Sequence, residues 1–202
     1  PLPLVQQGEP VSELLELTAP EQIFVFDGIH ELPIVSLLQD FSAPVKLDYP
    51  YSDDELSFLL RFSQNEFARW DAGQMLVNKY VQSGVQAYLR GESLPEPLSL
   101  SRAFAHILAD AKMDKALKVE ILTIPSETSL AEQFERVDID AIHLVREALM
   151  QHLAQELQEL WQTVYAANRL VGPYSIAPEA MATRALANLS LAYLARTKLA
   201  QA

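Results

Sequence analysis

The chain has 202 residues, half of them hydrophobic, enough to bury the core of one large domain or of a small and a medium one. Lys and Arg number 15 against 27 Asp and Glu, a formal net charge of −12, so the surface repels nucleic-acid phosphates and anionic lipid and neither is expected as a partner. With no cysteine there is no disulfide and no thiolate metal site, no apolar run approaches the ~20 residues of a membrane span, and no basic-then-apolar leader opens the chain; a cytoplasmic location is expected.

The first fifty residues are rich in proline and short in period. Leu15, Leu17 and then Ile23-Phe24-Val25-Phe26 read as β segments, split by the turn-like Thr18-Ala19-Pro20-Glu21. Pro33 and Pro44 bracket an apolar loop, and Val45-Lys46-Leu47-Asp48 alternates like a last strand. Three short strands cannot close a sheet with two buried faces. They read as the tail of a β-sandwich whose other strands lie elsewhere. The start at Pro1, in place of Met, fits removal of an initiator Met and excision from a longer polypeptide equally well.

After Pro50 the period becomes helical. Ser52-Asp53-Asp54-Glu55 is a capping box, followed by Leu56, Leu59 and Leu60 on one face. Asn65 caps a longer helix through Phe67, Trp70, Leu76 and Tyr80 that Gly91 stops. A third helix starts at Ser99. Asp114, Ser126 and Asp138 cap three more, and the last of these runs on, with room for a break, past Leu157 and Trp161 to Tyr165. Gly172-Pro173 is a stop, and Pro178 opens a final helix to about Leu199. The expected fold is mainly α: an α-solenoid-like, superhelical array of about seven helices preceded by a short β remnant. Domain boundaries fall at 1–50 and 51–202. The final helix, with Leu186, Leu189, Leu191, Tyr193 and Leu194, is apolar where a solenoid normally carries a polar cap, so the array reads as cut. Self-association of the isolated chain is expected from that face and from the orphan strands.

No chemistry-bearing motif survives inspection. His143 and Glu147 stand four residues apart on a helix but supply only two metal ligands, and His152 is off their face. His106, within Phe104-Ala105-His106-Ile107-Leu108, is expected to be a partly buried core histidine, and His30 belongs to no cluster. There is no H-E-x-x-H and no Ser/His/Asp set. Gly73 and Gly91 belong to a helix and a helix end, not to a phosphate loop. Asp53-Asp54-Glu55 lacks the spacing of a calcium loop and complements a helix dipole. Trp70 is expected to be a buried anchor, with Arg69 and Asp71 on the outer faces. No catalytic, cofactor-binding or metal residue is expected.

Two segments, Phe41-Ser42-Ala43-Pro44-Val45-Lys46-Leu47 and Phe67-Ala68-Arg69-Trp70-Asp71-Ala72-Gly73-Gln74, resemble the junction between the third and fourth domains of the bacterial aminopeptidase N family of zinc metallopeptidases. Glu21-Gln22-Ile23-Phe24-Val25-Phe26-Asp27 is similar to a late strand of the third, Ig-like β-sandwich domain. Glu120-Ile121-Leu122-Thr123-Ile124-Pro125-Ser126 and Val145-Arg146-Glu147-Ala148-Leu149 are similar to early helices of the fourth. The resemblance implies an interior, non-catalytic piece that shapes and restricts access to the active-site cavity of an enzyme removing N-terminal residues from peptides. The zinc motif would precede Pro1, and the rest of the superhelix would follow Ala202. Partners would be the remaining domains of the parent and its peptide substrates. The competing reading is a free-standing helical-repeat scaffold that binds a protein or peptide in its groove.

Overall fold

The computed structural model describes residues 5–6, 8–10, 14–45 and 47–199. The chain divides into two compact units, Pro1–Val35 and Ser36–Ala202. Among the described residues the fold is mainly α, with eight α-helices against two strands of two residues each.

In the larger unit the helices begin where short polar side chains can receive the orphan amides of a first turn. Ser52 opens α1 (Asp53–Phe62): its hydroxyl accepts from the Glu55 amide at 3.2 Å while Glu55 accepts from the Ser52 amide at 2.7 Å, closing the capping box. Asn65 caps α2 (Glu66–Leu89), and Arg90 with Gly91, at φ 70°, ends it. α3 (Leu98–Ala109) follows Pro97 and has no side-chain cap. Asp114, Ser126 and Asp138 cap α4 (Lys115–Leu122), α5 (Glu127–Ala131) and α6 (Ile139–Glu156). α7 (Gln158–Ala167) and α8 (Pro178–Leu199) complete the array.

The eighth helix arises because the long pattern from Asp138 breaks at Leu157, whose φ/ψ of −106°/20° leaves the helical region. The break lets the Trp161 indole Nε1 donate to the Leu153 carbonyl at 3.1 Å. In an unbroken helix those residues would lie roughly 12 Å apart along the axis.

The core is a continuous apolar interior. Leu56 and Leu60 of α1, Val81 of α2, Phe104 and Ile107 of α3, Val145, Leu149 and Leu153 of α6 and Trp161 of α7 are all fully buried. Leu144, next to Val145 on α6, is exposed. α2 and α6 approach so closely that a Cβ on Gly84 would stand 2.6 Å from Val145 Cγ1, so a larger residue there would force the Val145 side chain or a helix to shift. The final helix is covered on one face. α8 packs on α4, α6 and α7, burying Leu186 and Tyr193, and leaves Leu191 exposed. Tyr193 stacks on Trp161 with centroids 4.1 Å apart and planes 8° apart, and donates to the Leu122 carbonyl at 3.0 Å.

Trp70 is only partly buried, contrary to expectation. It stands at the end of a surface row in which Phe41 meets Phe67 at 5.4 Å and Phe67 meets Trp70 at 5.7 Å. A helical period places an aromatic residue on a face but does not say how deeply the neighbours cover that face. Residues 36–45 and 47–51 form a strap on the N-terminal part of this unit, and these described residues have no regular structure apart from a 3-10 turn at Gln39–Phe41. Leu38, Asp40 and Phe41 all have φ of 54°, in the left-handed region, and Asp40 accepts from Asn65 Nδ2 at 2.7 Å.

In the smaller unit β1 (Val5–Gln6) and β2 (Glu9–Pro10) pair antiparallel around Gly8, which has φ of 83°. The Asp27 amide donates to the Val5 carbonyl at 2.7 Å. The Thr18 turn forms, its amide donating to Gln22 Oε1 at 3.0 Å. The strands expected at Leu15–Leu17 and Ile23–Phe26 do not form, and neither does one at Val45 or at Leu47-Asp48; Lys46 lies outside the described residues. Extended backbone counts as a strand only when a second strand takes its hydrogen bonds, and among the described residues these segments meet none.

Candidate functional site

An open cleft of about 410 Å³ lies between the start of α2 and the α3–α4 connection. It is lined by charged and polar groups, including Glu66, Arg69, Asp110, Lys112 and Asp114. The bonds of three of them show what the cleft can do. Arg69 Nε donates to the Leu60 carbonyl at 3.0 Å and its Nη2 to the Arg61 carbonyl at 3.3 Å, closing the C-terminus of α1. Asp110 accepts from the Lys112 and Met113 amides at 2.9 and 3.2 Å, and these bonds hold its carboxyl below the usual range. Asp114 Oδ1 accepts from the Leu117 amide at 2.9 Å as the cap of α4. Each of these groups is engaged with backbone, so they fix helix ends and are not free for acid–base work. Lys118 is buried behind them, its Nζ 3.5 Å from the Leu108 carbonyl, and burial lowers its pKa.

Arg69 thus turns inward, not to an outer face as its place beside Trp70 led us to expect. A side chain that closes a neighbouring helix is invisible to local periodicity, because its acceptors lie eight and nine residues back.

The histidines do not converge. His143 Nδ1 lies 2.7 Å from Glu127 Oε1, and that bond raises the histidine pKa. Glu147 turns instead to Arg196 of α8 and to Arg146, and the Arg196 hydrogen bond lowers its carboxyl first among several causes. The i, i+4 pair is therefore split between two structural contacts. Arg146 also donates to the Pro125 carbonyl at 2.8 Å. The Glu147–Arg196 tie between α6 and α8 spans 49 residues and had no local signal in the sequence. His152 Nε2 lies 3.1 Å from Ser101 Oγ, and His106 meets Phe62 edge-on at 5.2 Å. His30 is exposed. Asp53 pairs with Lys79 at 2.8 Å. Among the described residues no group of three or more His, Asp or Glu side chains could hold a metal ion. Among them, too, no helix is long and apolar enough to cross a membrane.

Known proteins show where this architecture recurs. A family model described as a domain of unknown function with ARM repeats, DUF3458_C, matches residues 53–202. A second, described as a domain of unknown function with an Ig-like fold, DUF3458, matches residues 3–50. The chain is 45% identical over 167 residues to an aminopeptidase N of Escherichia coli strain K12, covering 83% of this chain and 19% of the relative. It is 39% identical over 196 residues to an aminopeptidase N of Haemophilus influenzae, covering 97% of this chain and 22% of the relative. Among solved structures, Legionella pneumophila aminopeptidase A, in complex with aspartic acid, matches with a TM-score of 0.75 and 23% identity over 86% of this chain and 21% of that one. That likeness speaks to fold alone. The chain spans about a fifth of the length of the curated relatives it matches.

Proposed function

The chain belongs to the DUF3458_C family of ARM repeats, preceded by a DUF3458 Ig-like stretch, and on that premise we propose that it is a non-catalytic structural segment of a zinc aminopeptidase. Residues 1–50 are then the end of a small Ig-like β-sandwich and residues 51–202 the first part of a helical superhelix. The segment serves as a wall that restricts access to the peptidase cavity, and the parent removes N-terminal residues from peptides in the cytoplasm. The observation that carries this reading is the 45% identity to a fifth of an aminopeptidase N. The local geometry agrees with it: the polar side chains traced in the cleft beside α2 fix helix ends, and the histidines are held in separate contacts. Zinc chemistry belongs, on this reading, to parts of the parent outside this chain, and no residue here takes a step in it.

The test is fragment complementation. The 202-residue chain is assayed alone against aminoacyl-anilides and analysed for zinc after dialysis, then mixed with the complementary remainder of an aminopeptidase N. The expected result is no turnover and no stoichiometric zinc alone, and recovery of peptide hydrolysis on mixing. One tightly held zinc per chain, or turnover that follows the protein peak, overturns the proposal. A folded remainder that neither binds the chain nor gains activity from it favours the free-standing scaffold.

A further inference from the structure

A small cavity lies beneath the strap, where Ser36, Leu37, Leu47 and Tyr51 face Leu56 and Leu59 of α1 and Ala68, Asp71, Ala72 and Met75 of α2. Its volume is about 10 Å³, the lower limit for one water molecule and too small for an organic ligand. The lining is mostly apolar, but two polar groups stand out. Ser36 Oγ is buried and has no hydrogen-bond partner in the protein. Asp71 is half-buried, and burial pushes its carboxyl above the usual carboxylate range. A buried hydroxyl and a desolvated carboxyl both lose free energy unless something bonds to them. A void of that size lined by such groups is where proteins hold structural water.

We propose that this cavity is a binding site for one ordered water, which accepts from Ser36 and donates to Asp71 and so fastens the strap to α2. The strap has few other ties. Asp40 and Asn65 bond at its 3-10 turn, Phe41 meets Phe67, and Lys79 Nζ donates to the Tyr51 carbonyl at 2.7 Å. Leu38, Asp40 and Phe41 sit in the left-handed region, so the strap's own backbone conformation opposes its placement. The Tyr51 hydroxyl already takes a backbone hydrogen bond from Leu37 within the strap; a water bridge from Ser36 to Asp71 adds a tie from the strap's start to α2.

The test is a high-resolution crystal structure of the 202-residue chain with a double-mutant cycle of Ser36→Ala and Asp71→Leu. The expected result is density for one water within hydrogen-bond distance of both groups in the wild type, and its loss in Asp71→Leu, whose side chain fills the space. Strap amides should exchange with solvent roughly fivefold faster in Ser36→Ala, the worth of one water-mediated bond. In the Asp71→Leu background Ser36→Ala should add nothing. A wild-type cavity without density, a Ser36 hydroxyl bonded directly to Asp71, or additive effects of the two changes would each overturn the proposal. The wild-type density decides the matter even where a variant fails to fold.

Discussion

Residues 14–35 and residues 53–199 use similar side chains to opposite effect. In the first, Ile23, Leu32 and Val25 are 80%, 96% and 59% exposed; in the second, Leu56, Ile107, Val145 and Leu149 are 0% exposed. A helix closes its own backbone hydrogen bonds and then needs only a neighbour for one face. An extended segment must find a second strand before its side chains have a surface to pack on. Hydrophobic content alone therefore does not make a core.

The sharpest way to break this comparison is at the centre of the helical unit. Trp161→Ala should cost ~3–5 kcal/mol, because the side chain is fully buried and stacked on Tyr193. Denaturant unfolding measures it, and a loss no larger than that of Trp70→Ala would mean that the two indoles are equally covered. Next is the close approach of α2 and α6. Gly84→Ala should cost about 1–3 kcal/mol as an overpacked contact, and Val145→Ala in the same chain should restore part of it. If Gly84→Ala is neutral, the two helices move apart more easily than their packing implies.

Asp71 gives a pH-dependent version. Burial raises its folded-state pKa, so the folded chain holds the proton more tightly than the unfolded one. Its penalty is absent below the unfolded value, grows as pH rises through the raised one, and is complete above it. Asp71→Asn should therefore stabilise the chain at neutral pH, and the gain should fade on acidification toward the unfolded value. Thermal melts across that range check the sign, and a gain that grows toward low pH would contradict it. The smallest effect belongs to the other unit: Leu32→Ser should change stability by less than about 0.5 kcal/mol, since Leu32 is 96% exposed. A larger loss would show that residues 14–35 contribute to a core after all.

How far the sequence could be read follows the same division. The caps at Ser52, Asn65, Asp114, Ser126 and Asp138 all form as their residue types foretold, because a cap is decided within four residues. The inner face of α1 was legible for the same reason. What depended on distant partners was not. Nothing near Trp70 says that it is less buried than Trp161, nothing near Arg69 says that it closes α1, and nothing near Glu147 points to Arg196. The expected strands failed on the same ground: a period of two describes one segment, while a strand needs two. For the candidate site, the separation of His143 and Glu147 was foreseeable only as a shortage of ligands. The contacts that claim each of them come from α5 and α8.

The stacked pair of Trp161 and Tyr193 has an optical consequence. One indole is sealed against a parallel phenol ring, with its N–H committed to a backbone carbonyl, and the other, Trp70, lies partly in solvent. Their emission should therefore resolve into a blue component that iodide and acrylamide quench poorly and a red one that they quench readily. Because Tyr193 comes from α8 and Trp161 from α7, detachment of the last helix would shift the blue component while leaving the red one in place. Light alone can then follow the two ends of the helical array separately.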